Sequence, residues 1–325
     1  MTTIYFATNR NHDDSTNPAT FGSRFSEAGL GDLRFGKVEV NNSVVDNHSI
    51  EILPDDPRLG SKVLFKDLKT SMRVSQVDSL IFIHGFNVTF EESIISAAKI
   101  SAFYKNLSGG KYIPNIFVFS WPSDGKITNY LNDRHDAETS GYAFARGLMK
   151  LADFLRDPSE HNICGRKINL LAHSMGNYVL RNALQQAKKV SDAKPLNRIF
   201  DEVILAAADE DNDAFEYDFK LAGLPEVSQR ITVYFNNGDL ALRVSDLLKG
   251  NPDRLGHDGA RKPHELPGKV VLVDVSNIIT GDYHSYFLDD QKVGKDIVSI
   301  LQGERSESAT LSRIYVPHAN KFRLV

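Results

Sequence analysis

The sequence holds a single cysteine, Cys164, and a single tryptophan, Trp121, in 325 residues. A lone thiol excludes an intramolecular disulfide and any cysteine-rich zinc site, and it suits a reducing compartment. A basic excess is missing too: Lys plus Arg number 38 against 42 Asp plus Glu, a formal charge of -4, so nucleic acid is not an expected partner. No stretch approaches about 18 uninterrupted apolar residues, so no membrane span is expected. The run from Met1 to Arg10 has no basic n-region. These absences lead to the expectation of a cytoplasmic protein. No His-Glu-x-x-His pair, P-loop or dinucleotide glycine fingerprint occurs, so neither a metal nor a cofactor is expected. Internal repeats and low-complexity tracts are also absent.

What is present is ordinary globular composition, 41% hydrophobic and 25% charged, enough to bury a large core. Short apolar runs rich in β-branched and aromatic residues recur at Leu80 to Ile83, Ile116 to Phe119, Ile168 to Leu171, Val203 to Ala206, Ile231 to Phe235 and Val270 to Val273. Between them come segments with helical spacing, such as Val179, Leu180, Ala183, Leu184 and Ala187, or Phe144, Leu148, Leu151 and Phe154. Alternating strand and helix predict an α/β fold with a mainly parallel sheet covered by helices on both faces. Ile4 to Ala7 and the run at Val38 are expected as antiparallel edge strands. Asn9 to Asp32 and Gly250 to Pro267 read as long loops, not linkers. One domain over 1–325 is therefore expected, with N-terminal strands and loops over 1–75 and the core over 76–325.

Directly after one strand stands Ala172-His173-Ser174-Met175-Gly176, and helical spacing follows at once. Strand, tight turn and helix form the setting of a nucleophile elbow, where a serine occupies a strained turn at a strand's carboxyl end. Ala172 replaces the usual glycine. The elbow also puts the serine at a helix amino end, where backbone N–H groups favour an oxyanion. The plain alternative is a helix N-cap serine. Phe82-Ile83-His84-Gly85-Phe86-Asn87 closes an earlier strand, and acyl transfer needs one donor after the nucleophile and one from such a loop. Met175 N–H and Phe86 N–H fit these oxyanion roles. Gly85 would let the loop come close, and His84 would brace it.

An activated serine needs a base and an acid, found in the order Ser, Asp, His in α/β-hydrolase arrangements. His284 follows the last strong strand and is the expected base, whereas His257 and His264 lie in the polar loop. Asp239 and Asp209 both follow strands. Asp239 is preferred as the acid and Asp209 kept as the alternative, since Asp209-Glu210-Asp211 reads as a solvated helix start. The same run resembles a calcium loop but has Ala214 in place of glycine and Lys220 in place of the final glutamate. Lys188 and Lys189 suit the end of the nucleophile helix. Only about 20 residues separate the strands either side of Asp209 to Gln229, room for one helix at about 1.5 Å per residue, so no large cap is expected.

Tyr5-Phe-Ala-Thr-Asn-Arg10, Phe82 to Asn87, Ser120-Trp-Pro-Ser123 with Tyr130 and Asp133, Leu171 to Asn177 and Asp239 to Leu242 occur in an order that resembles the α/β-hydrolases. More narrowly, the chain resembles the bacterial esterase/lipase-like family catalogued as domain of unknown function 900. The resemblance spans most of the chain and implies a hydrolase fold with Ser174 as nucleophile, but no defined substrate. The expected function is cleavage of a small-molecule carboxylic ester or thioester through an acyl-enzyme, with Trp121 and Tyr130 lining the substrate pocket. The alternative is a binding or scaffold protein that keeps the fold without turnover. Oligomeric state is not legible.

Overall fold

The computed structural model describes residues 1–12, 21–55, 59–123, 130–157, 165–190, 198–243, 253–279 and 284–325. Cys164, Asp282 and Tyr283 lie outside the described residues, as do the Asn9 to Asp32 stretch over 13–20 and the start of the Gly250 to Pro267 stretch. The chain opens with β1 (Thr2–Thr8), β2 (Arg10–His12), β3 (Phe21–Phe25), β4 (Arg34–Asn41), β5 (Val44–Val45) and β6 (Glu51–Pro54). Then α1 (Gly60–Ser75), β7 (Ser79–Ile83), α2 (Phe90–Leu107), β8 (Asn115–Ser120), α3 (Tyr130–Arg156), β9 (Ile168–His173) and α4 (Gly176–Val190) alternate. The second half holds β10 (Phe200–Ala206), α5 (Leu224–Val227), β11 (Ser228–Phe235), α6 (Leu255–Asp258) and β12 (Val270–Asp274). It closes with α7 (Tyr286–Asp289), α8 (Gln291–Gln302), β13 (Arg313–Val316) and β14 (Lys321–Leu324).

Among the described residues twelve strands form one sheet in the order β13-β14-β12-β11-β10-β9-β7-β8-β1-β4-β5, with β6 also paired to β4. From β14 to β1 every neighbour is parallel, and antiparallel partners β13 and β4 flank that block. The mainly parallel α/β-hydrolase sheet is thus present, covered on both faces. Side chains alternate across it as the strand period requires: Tyr5, Ile81, Ile83, Phe117 and Phe119 pack with α1, α3 and α4. Ile4, Phe6, Leu80, Phe82, Ile116 and Val118 pack with α2 and α8 on the other face. Local chemistry sets the helix ends. Thr89 and Glu92 form a reciprocal capping box on α2, and Asp290 accepts from Lys292 N–H and Val293 N–H at the start of α8.

Several expectations need correction. Ile4 to Ala7 is no edge: β1 lies between β8 and β4, because its two faces are both apolar enough to be covered. Within Asn9 to Asp32, β2 and β3 form an antiparallel pair. The first 75 residues also contain a helix, α1, whose Leu64, Leu68 and Met72 mark one buried face at four-residue spacing. From Asp253 the second expected loop straps across the sheet's carboxyl edge, with Gly256 N–H donating to Ala208 O and Asn236 N–H to Gly256 O, both at 3.0 Å. Turns and α5 alone connect β10 to β11, so no cap domain is inserted there. Among the described residues no helix is long and apolar enough to cross a membrane.

The C-terminal pair β13–β14 is fastened by a buried ion pair. Arg313 donates to Asp296 through Nε (2.8 Å) and Nη2 (2.5 Å), and Tyr234 OH donates to Asp296 Oδ2 at 2.6 Å. Both charged side chains are almost fully covered. Asp296→Ala would leave the guanidinium buried and unpaired, so urea unfolding should show a loss of about 3–5 kcal/mol.

Candidate active site

β9 ends at His173 and α4 begins at Gly176, and the turn between them holds Ser174 at φ 50°, in the left-handed region. A serine pays about 1–2 kcal/mol there, so the turn must be held from outside. Ser174 N–H donates to Ala206 O at 3.0 Å on the neighbouring strand. Ser174 O accepts from Asp209 N–H (3.2 Å), Asn177 N–H (3.1 Å) and Asn177 Nδ2 (3.0 Å). Asn177 Nδ2 also donates to Ala172 O, so one side chain ties both sides of the elbow. Small residues let the backbones meet. A Cβ on Gly176 would stand 2.6 Å from Ile83 O and His84 O, and one on Gly85 would stand 2.9 Å from Ser174 Cβ.

Asp239 follows β11 and starts a helical segment at Leu240. Its Oδ1 accepts from Leu242 N–H at 3.2 Å, which leaves Oδ2 to accept from His284 Nδ1 at 2.6 Å. A carboxylate on Nδ1 fixes the proton there and leaves the Nε2 lone pair open to accept one. Asp239 is fully buried and His284 part-exposed. His284 is steadied from behind: His173 Nε2 faces His284 O at 3.2 Å, and because that oxygen only accepts, the His173 proton is on Nε2. The two rings lie 4.8 Å apart, and Phe287 packs on His173. Tyr286, two residues on, is fully buried; its hydroxyl accepts from Ala207 N–H and donates to Tyr234 O, both at 2.8 Å. That anchors the segment carrying His284 to the ends of β10 and β11.

The loop after β7 is braced by two stacked rings. His84 and Trp121 lie 5.1 Å apart at 7°, with Trp121 Nε1 donating to His84 O (2.9 Å) and Trp121 N–H to His84 Nε2 (3.2 Å). His84 Nδ1 then donates to Gly85 O at 2.8 Å. Among the described residues no protein acceptor takes Phe86 N–H or Met175 N–H. Trp121 is fully buried in this brace, not a wall of an open pocket. Tyr130 stays half-buried with its ring edge-on to Phe86 at 5.5 Å.

Asp209 makes other bonds. Tyr130 OH donates to Asp209 Oδ2 at 2.5 Å, and Arg254 Nε lies 3.5 Å from Asp209 Oδ1. Arg254 Nη1 also donates to Asp211 at 2.5 Å. Asp209, Glu210 and Asp211 are 2%, 0% and 8% exposed, so the run is no solvated helix start. Arg254 and Arg181, which no local pattern announced, and Lys220 neutralise it. The Lys220 ammonium sits between Asp211 and Asp213, so the twelfth position of the calcium-like pattern supplies its own cation. Burial pushes the Glu210 carboxyl up to about 7 against the pull of Arg181 and Arg134. His257 lies beside Asp258, and His264 faces His318 O.

A family model agrees with this architecture. The chain belongs to the family described as alpha/beta hydrolase of unknown function (DUF900), whose model matches residues 61–305. A Pyrobaculum calidifontis esterase, solved in a monoclinic form, is similar at 13% identity over 84% of this chain and 81% of that chain, with a TM-score of 0.34. A likeness that distant carries no argument for fold or chemistry. Among curated proteins nothing matches.

Two of these histidines are kept neutral. Burial, then the Arg10 charge, takes His84 from 6.5 down to about 3, and burial followed by the His284 charge holds His173 well below the usual value. Unfolding frees both to bind protons below about pH 6.5, so their contribution is full above that value and is lost as the pH falls toward their folded values. Urea titrations from pH 7 to 5 should show stability falling with a slope of up to about 1.4 kcal/mol per pH unit for each histidine. His84→Gln should flatten that slope by about one proton's share.

Proposed function

As this chain belongs to a hydrolase family, we propose that it works as one unit that cleaves carboxylic esters or thioesters through an acyl-enzyme on Ser174. The observation that carries the reading is the 2.6 Å bond from His284 Nδ1 to Asp239 Oδ2, beside a serine held at positive φ on a strand-to-helix elbow. Ser174 Oγ attacks the carbonyl carbon while His284 Nε2 takes its proton. The carbonyl oxygen gains the negative charge and is met by Phe86 N–H and Met175 N–H. The carbon–oxygen or carbon–sulfur bond then breaks, and the leaving group receives the proton from His284. Water repeats the sequence on the acyl-enzyme and releases the acid.

Asp239 keeps the His284 proton on Nδ1 and stabilises the imidazolium formed in each half. Asp209 serves differently, through its backbone bond to Ser174 O and its side-chain bond to Tyr130. Tyr130, next to Phe86, is the pocket residue this reading retains.

Incubation with a fluorophosphonate followed by mass spectrometry should place the adduct on Ser174, and Ser174→Ala should lose both the adduct and at least about 10³-fold in turnover of a short aryl ester. Absence of labelling, under conditions that label a control esterase, would leave a binding protein with this fold. Asp239→Asn should lower kcat by about 10² to 10⁴ with KM nearly unchanged. A larger loss in Asp209→Asn than in Asp239→Asn, with native circular dichroism in both, would move the acid role to Asp209.

A further inference from the structure

Arg10, Ser123 and Asp133 take no part in the chemistry above, yet each is at most 1% exposed. All three converge on the loop that carries Phe86. From β2, Arg10 Nη2 donates to Val88 O at 2.7 Å, while its Nε donates to Ser120 Oγ (3.0 Å) and its Nη1 to Gly22 O (3.0 Å). From the first turn of α3, Asp133 Oδ2 accepts from Asn87 N–H at 3.4 Å and from Ser123 Oγ. Ser123 Oγ in turn accepts from Val88 N–H at 3.2 Å. Asn87 itself is at φ 60°, a left-handed turn just past Phe86. Two successive residues thus have both N–H groups and one carbonyl tied to buried side chains from distant elements.

Ordinary loops leave such groups to water. Here a guanidinium grips the backbone on one side through a charge-assisted bond, which is stronger and more directional than a neutral one, and on the other side a carboxylate fixes the Ser123 hydroxyl that takes Val88 N–H. We propose that Arg10, Ser123 and Asp133 are positioning residues that hold the Phe86 N–H where the oxyanion forms, a role that rests on the ester-hydrolase reading. Geometry is what makes the role catalytic: an oxyanion donor must lie within about 2.7–3.1 Å of the charge, and a misplacement of about 1 Å can cost about 10² in rate.

Ser123→Ala tests this, since it removes the Val88 N–H acceptor without changing charge or adding bulk. Deuterium uptake of the peptide covering residues 84–89 should rise, kcat on a p-nitrophenyl ester should fall by about 10- to 100-fold, and KM should stay within about twofold. Affinity for an aryl trifluoromethyl ketone, which forms a tetrahedral adduct, should fall by the same factor as kcat. Asp133→Asn, nearly equal in size, gives the same readings should Ser123→Ala fail to fold. Unchanged uptake overturns the brace, and raised uptake with unchanged kcat overturns its link to catalysis. An inert wild type overturns the ester-hydrolase reading and the catalytic role with it, and the uptake arm, which needs no turnover, tells that failure from failure of the brace.

Discussion

Ser174 at φ 50° is the constraint around which the sheet's carboxyl edge is built. The left-handed turn is unfavourable by itself, and three backbone partners hold it: Ala206 on β10, Asp209 just beyond β10, and Asn177 on α4. The first two depend on the parallel pairing of β9 with β10, which registers Ala206 beside His173, while Asn177 comes from the helix that follows the turn. The close approach of Gly85 and Gly176 to the neighbouring backbone follows from the same crowding. Strain at one residue is over-determined by packing around it, the arrangement expected where geometry matters more than local stability.

A second consequence is the concentration of buried charge on one flank of the elbow. Asp209, Glu210 and Asp211 follow β10 into a dry region, where an unpaired carboxylate would be costly. Arg254 arrives from the strap, Arg181 from α4 and Lys220 from the turn that follows, so the cluster is compensated by cations from three places in the chain. Tyr130 extends the same network to Phe86. The acidic flank thereby links the Ser174 backbone to the loop on the other side of the site.

The three histidines near the serine divide into two kinds. His84 is almost fully enclosed and His173 half-buried; both are held neutral and bonded to backbone, so they act as rigid spacers. His284 alone combines a carboxylate partner with partial exposure, the setting a proton carrier needs. The carboxylate partner, more than exposure, makes the distinction, since His173 and His284 are both half-buried.

The alternation of apolar runs and helical spacing made the parallel sheet and its two helix layers legible, because each period is a property of a few consecutive residues. The elbow at Ser174 was legible for the same reason: strand, turn and helix all lie between Ile168 and Val190. Choosing Asp239 over Asp209 could only be a preference at that level. The bond that separates them joins residues 45 apart, and the one that occupies Asp209 joins residues 79 apart. The interior place of β1, the burial of the acidic run and the grip of Arg10 on Val88 were likewise invisible, since each depends on which distant elements the strand order brings side by side. Local patterns determined what the elements are and where a nucleophile could stand. Tertiary structure decided which charges meet, because only the folded sheet brings distant side chains within bonding distance and removes the water that would otherwise satisfy them.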